Sequence, residues 1–310
     1  MSAVVAAFAT LVSVAVLGYL VGVAGVLRGQ DELVLSRLAF FVATPALMFT
    51  TVATADLGSI FSPVLPTYVA GALAAQAVYV AVARWIWRRS RSETTIGLLA
   101  ASYGNAGNVG MAVSVYVLDD GALIAPILLL QLLVMTPAAF LVLDGGGGQG
   151  GRGRAVRAAL LRPLRNPLSV ASLAGLAIAV AGLHPPAVLM RPVELVAGAA
   201  VPVALIAYGL SLSGPRRTDE EDGAGRDVAL AVFLKIFLQP AAAYLVGRFA
   251  LGLDGTALLA STLFAALPTA QNIYVYATHY RTATRLARGA VLVSTLLSIP
   301  VMIALGGLLA

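Results

Sequence analysis

Two polar interruptions of long apolar runs are the places where this chain could do chemistry. The first reads Ser102-Tyr103-Gly104-Asn105-Ala106-Gly107-Asn108-Val109-Gly110, and the second reads Ala266-Leu267-Pro268-Thr269-Ala270-Gln271-Asn272. Each is expected to break a helix. Gly costs about 1 kcal/mol relative to Ala inside one, and Pro268 removes a donor and disrupts the turn before it. Gly104, Gly107, Gly110 and Pro268 are thus the hinge positions. At membrane depth a break is tolerated only against protein or a water-filled cavity, because lipid offers no partner for bare backbone groups. Half-helix N-termini at such breaks present free N–H groups and a positive dipole end, which attract anions. The chemistry implied is binding of an anionic solute, with Asn105, Asn108, Pro268, Gln271 and Asn272 as contacts. The competing reading is helix packing through small residues, with the Asn side chains bonded across helices.

Three further polar residues within apolar runs are candidates. Lys235 sits about two turns into its run, where a charge at bilayer centre costs roughly 2.5–3.5 kcal/mol on insertion scales. Its depth favours snorkelling to the interface; facing inward, it would be a counter-charge for an anion. Gln76 and Gln239 either line the same cavity or bond between helices. Catalysis finds no material here. The chain has no Cys, its two His lie at helix ends, and no Asp or Glu stands near a midplane, so no nucleophile, base or metal set can be assembled. No cofactor and no metal are expected.

The elements that must position these residues follow from composition. The 310 residues are 60% hydrophobic and 11% charged, with a mean hydropathy of +0.93, which places the chain in a bilayer. Hydropathy predicts ten spans, at roughly 2–27, 33–54, 63–87, 95–118, 120–143, 167–183, 188–212, 227–252, 256–278 and 285–309. The first lacks a basic leader and is too long for a signal-peptide core, so it is read as a span. Of the 20 basic residues, 17 fall in alternate loops, the exceptions being Arg191, Arg248 and Lys235. The positive-inside rule then puts those loops in the cytoplasm and both termini outside, in the plasma membrane. It also accounts for the net charge of +6 without a nucleic-acid partner.

Two loops resemble something more. Asp144 to Gly153 could pass as a phosphate cradle, but no Lys-Ser/Thr follows and no strand precedes it, so a flexible linker is preferred. With the Arg-rich stretch to Arg165 it makes a cytoplasmic linker over 144–165. Gly214 to Asp227 mixes both charge signs and reads as a solvated loop. Either side of the linker, 1–143 and 166–310, the halves match at a shift of about 160 residues: Pro45 with Pro202, Gln76 with Gln239, Val115-Tyr116 with Val275-Tyr276, and Pro137 with Pro300. Each half holds five spans, an odd number, so the second copy enters the membrane inverted, and the broken spans four and nine become equivalent. Interrupted helices in matching places mark a transporter site.

At these residues the chain resembles the auxin efflux carrier family. The likeness rests on 38–49 (LAFFVATPALMF), 105–110 (NAGNVG), 165–168 (RNPL), 202–212 (PVALIAYGLSL), 235–240 (KIFLQP) and 266–280 (ALPTAQNIYVYATHY). It implies an all-α fold of ten helices in a 5+5 inverted repeat with crossed broken helices four and nine. It further implies a scaffold of spans 1, 2, 6 and 7, a mobile transport domain of spans 3–5 and 8–10, and elevator-like export of small organic anions. Site positions of the family correspond to Asn105 and Pro268. One position departs: Ala112 stands where the family usually has Pro, so the first break must rely on its glycines. The partners expected are a small carboxylate and the lipid bilayer; a homodimer is compatible, although no pattern encodes it. The alternatives carried forward are a sodium-coupled importer of the bile-acid symporter type and a membrane sensor or channel.

Overall fold

The computed structural model describes residues 2–54, 62–144, 167–183, 185–213 and 224–309. His184, nearly all of the 144–165 linker and the loop up to residue 223 lie outside them. Among the described residues the chain is helical and forms no strand. In chain order the helices are α1 (Ser2–Val23), α2 (Gln30–Ala53), α3 (Val64–Ile86), α4 (Arg91–Ala100), α5 (Met111–Tyr116), α6 (Ala125–Asp144), α7 (Pro167–Val180), α8 (Ala187–Leu210), α9 (Gly225–Ala250), α10 (Gly255–Ala265), α11 (Asn272–His279) and α12 (Thr284–Leu309). Six of them, α2, α3, α6, α8, α9 and α12, are long and apolar enough to cross a membrane. Shorter apolar helices over Val12–Val23, Val170–Val180 and Gly255–Ala265 fall where the first, sixth and ninth spans are expected.

Six wide π-turns interrupt the helical ladders of the described residues, and three share a cause. The turns at Ala39–Ala43, Gln131–Met135 and Leu234–Leu238 each end two residues before a proline: Pro45, Pro137 and Pro240. Proline lacks an N–H and its ring clashes with the carbonyl four residues back, so the ladder widens ahead of it. The turn at Ala106–Gly110 has the same spacing to Ala112. There it forms without proline, closed by Gly110 N donating to Asn105 O at 2.9 Å.

Starts and contacts are set locally. At the head of α4, Glu93 N donates to Ser90 Oγ (3.2 Å) and Ser90 N to Glu93 Oε2 (2.8 Å), a capping box that satisfies two orphan donors. Burial alone would raise the Glu93 carboxyl, but the Ser90 bonds and the Arg89 guanidinium outweigh it and hold it below its usual range. Arg89 also bridges Asp227 at the head of α9, at 2.5 Å. Helices α1 and α8 pack along each other, and α2 packs on both α7 and α8; α3, α9 and α10 form a second group that α12 joins.

The α1–α8 contact depends on close backbone approach. A Cβ built on Gly209 would lie 1.9 Å from Ala15 O, and one on Gly18 would lie 2.4 Å from Ile206 O. Small residues are what let helices meet at this distance in lipid. Gly209→Ala should therefore destabilise the protein by about 1–3 kcal/mol, the usual range for overpacking. A lowered Tm in detergent checks this, and an unchanged Tm would count against the contact.

Candidate functional site

Helix α4 stops at Ala100 and the next helical turn starts at Ala106, while α10 stops at Ala265 and α11 starts at Asn272. Both interruptions fall where the sequence places them. They also meet. Gly104 and Thr269 form an isolated antiparallel bridge, flanked by Asn105 N donating to Pro268 O (2.8 Å) and Ala270 N donating to Tyr103 O (3.1 Å). Each break thereby satisfies part of the other's backbone, which is how extended chain persists inside an apolar bundle. Gly104 eases the approach, since a Cβ there would sit 3.2 Å from Leu267 Cβ and push the two breaks slightly apart. Gly107 and Gly110 lie within the π-turn, so the open part of the first break is 101–105, shorter than the sequence suggests.

Side chains tie the crossing to its surroundings. Tyr68 Oη donates to Ser102 O (3.1 Å) and receives Gly104 N (3.2 Å). Gln131 Nε2 reaches both Tyr68 Oη (2.9 Å) and Gly104 O (3.0 Å). On the other strand of the bridge, Thr269 N donates to Ser294 Oγ (3.0 Å) and Thr269 Oγ1 donates to Ala100 O (2.7 Å), which caps the last turn of α4. Gln76 and Gln239 converge on one residue, through Gln76 Nε2 to Ser102 Oγ (2.9 Å) and Gln239 Nε2 to Ser102 O (3.2 Å).

Lys235 does not snorkel. It is fully buried in the Leu234–Leu238 turn, and its Nζ donates to Ala265 O at 2.7 Å, capping the C-terminus of α10. The ammonium lies beside the crossing, 3.7 Å from where a Gly104 Cβ would be. The snorkelling preference fails because α9 turns this face into the bundle, where an orphan helix-end carbonyl accepts the charge. Asn105 and Gln271 are buried and Asn272 is half-buried at the two half-helix starts. The side chain of Asn108 lies outside the described residues. Two buried amide oxygens, Gln239 Oε1 and Gln271 Oε1, have no hydrogen-bond partner. Among the described residues no cluster of His, Asp and Glu could hold a metal.

Sequence reasoning missed Tyr68, Gln131, Thr269 and Ser294. A signal existed for two: Gln131 and Ser294 stand at the same spacing as Pro137 and Pro300, and each bonds one of the two breaks. Gln131→Leu would remove one hydrogen bond each from Gly104 O and Tyr68 Oη, which keep their bonds to Ala106 N and to Ser102 O and Gly104 N respectively, a loss of about 0.5–1.5 kcal/mol per bond. It should lower the unfolding midpoint in a denaturant titration of the purified protein, and an unchanged midpoint would count against the bond.

A multi-pass helical membrane protein with two interrupted helices joined at their breaks belongs among membrane transporters rather than enzymes. The chain belongs to the membrane transport protein family, whose model matches residues 3–149 and 153–305, and the motif likeness to auxin efflux carriers holds. Among its relatives, a protein of Rhizobium meliloti (strain 1021) named "Putative malonate transporter" is 28% identical over 86% of this chain and 83% of its own. A protein of Methanothermobacter thermautotrophicus named "Uncharacterized transporter" is 30% identical over 94% of both chains. The Escherichia coli (strain K12) transporter YfdV is 25% identical over 92% of this chain and 91% of its own.

Proposed function

We propose that this protein is a carrier that exports a small organic anion, bound at the crossing of the two helix breaks. The observation that supports this most is the pairing of Gly104 with Thr269. It brings the starts of two half-helices, with their positive dipole ends, close to the Lys235 ammonium, and that combination favours a carboxylate. Asn105, Asn108, Gln271 and Asn272 are its side-chain contacts, and Pro268 keeps the second break open. Gln76 and Gln239 hold the first break through Ser102. The printed name of the Rhizobium meliloti relative makes malonate the first substrate to try.

On this reading the chain makes ten spans as two inverted five-helix units over 1–143 and 166–310. Spans 1, 2, 6 and 7 form the scaffold, and spans 3–5 and 8–10 move past them as an elevator. The packing of α1 along α8 and of α2 on α7 and α8 supports that division. The Arg-rich loops face the cytoplasm and both termini lie outside the plasma membrane. Moving one charge through 100 mV releases about 2.3 kcal/mol, so a negative-inside cell drives anion export without a coupled ion. Proteoliposomes loaded with labelled malonate test this: an applied potential, negative on the loaded side, should accelerate saturable efflux without sodium. Binding without saturable flux would favour a sensor. The sodium-coupled importer draws support from the two unpartnered amide oxygens, Gln239 Oε1 and Gln271 Oε1; uptake that requires Na⁺ would select it.

A further inference from the structure

A second concentration of polar groups lies away from the crossing, in a cavity of about 340 Å³ between α2 and the end of α11. Ser36, Arg37, Thr278, His279 and Arg281 line it with two apolar side chains. Hydroxyls on other helices of this chain bond the carbonyl one turn back: Thr94, Thr95, Ser261 and Thr262 all do so at 2.7–2.8 Å. Ser36 and Thr278 do not. They are 3% and 7% exposed, and neither hydroxyl oxygen has a partner. Buried polar groups left unpaired are costly, and two on the walls of one cavity point to something that pairs them.

The charges around the cavity say what that is. Neither Arg37 nor Arg281 has an ion-pair partner among the described residues. The acids on or close to these elements accept from other donors: Asp31 from Arg28 N (2.7 Å), Glu32 from the Tyr274 hydroxyl and Asp144 from the Tyr280 hydroxyl (2.8 Å). His279 is held in place by stacking on Phe40, with 3.8 Å between ring centroids. We propose that this cavity is a second anion site, taking a carboxylate or phosphate group between the Arg37 and Arg281 guanidinium groups and the hydroxyls of Ser36 and Thr278.

The chemistry matches. A guanidinium fork fits either oxyanion, and the hydroxyls add donors of the kind such an anion lacks in an apolar wall. The negative end of the α11 dipole opposes an anion here, but it amounts to about half a charge against two full ones. The site is distinct from the crossing: the eight residues of α11 separate them by about 10 Å. It joins an element of the first half to one of the second, so an occupant ties α2 to α11, and it stands whether or not the crossing is the carrier site.

Calorimetric titration of the full-length protein in neutral phosphatidylcholine nanodiscs, with inorganic phosphate and then malonate at constant ionic strength, tests this. Phosphate binding should be saturable, retained by Asn105→Ala/Asn272→Ala, and weakened at least tenfold by Arg37→Gln/Arg281→Gln. Ser36→Ala/Thr278→Val should weaken it as well, and that variant breaks no internal bond of these hydroxyls. Absence of saturable binding, or equal phosphate affinity in the native protein and both site variants, would overturn the proposal. Adding phosphatidylglycerol separates the sources. A tenfold drop in apparent phosphate affinity in the native protein alone supports the site with a lipid headgroup as its occupant, and no drop supports it with a soluble anion.

Discussion

Gly104→Val should abolish transport. The Cβ alone would meet Leu267 Cβ at 3.2 Å and Tyr68 Oη at 3.4 Å, and valine adds two methyl groups to a space with Lys235 Nζ on its far side. The break at 101–105 must then draw away from 266–271, and the bonds from Asn105 N to Pro268 O and from Ala270 N to Tyr103 O lengthen together. Overpacking of this kind costs about 1–3 kcal/mol in stability. The functional loss is larger, because a shift of about 1 Å in a positioned group is enough to cost about a hundredfold in rate. Gly104→Ala, with no methyl beyond the Cβ, should fall between the two. Efflux from proteoliposomes measures the series, and native rates in the valine variant would mean that the paired breaks do not carry the function.

Lys235→Met separates the two duties of this side chain. Losing the donor leaves Ala265 O unpaired at the end of α10, at about 1–3 kcal/mol. Removing the buried charge returns roughly 2.5–3.5 kcal/mol on insertion scales. The terms nearly cancel, so the variant should fold with a Tm close to the native value. Transport should nonetheless drop at least tenfold if the ammonium neutralises the bound anion, since no other cation lies this close to the crossing among the described residues. Native transport in the methionine variant would reduce Lys235 to a helix cap.

These outcomes draw on features of unequal visibility in the chain. The breaks were legible because Gly and Pro inside an apolar run conflict with helix formation wherever they occur, and that conflict needs no knowledge of neighbours. Membership of a transporter family was legible for a similar reason: spans and motifs are local. The fate of Lys235 was not, because burial depends on which way a π-turn at Leu234–Leu238 rotates the side chain and on a helix-end carbonyl 30 residues later. Gln131 and Tyr68 were hidden differently. Gln76 and Gln239 stood out because they match across the two halves; Gln131 and Tyr68 have no such twin of their own type, yet these two hold Gly104 in place. The wide turn at Ala106–Gly110 shows the reverse case: it forms although Ala112 stands where a proline is expected, closed by Gly110 N on Asn105 O.

Malonate binding to the purified protein at equilibrium addresses the crossing most directly, measured for the native chain and for Asn105→Ala/Asn272→Ala with the Arg37 and Arg281 cavity blocked by Arg37→Gln/Arg281→Gln in both. The paired breaks predict saturable binding that the double alanine variant weakens at least tenfold while its Tm stays near that of the parent. Equal affinity in the two proteins would contradict the assignment of the anion to the meeting of the two breaks.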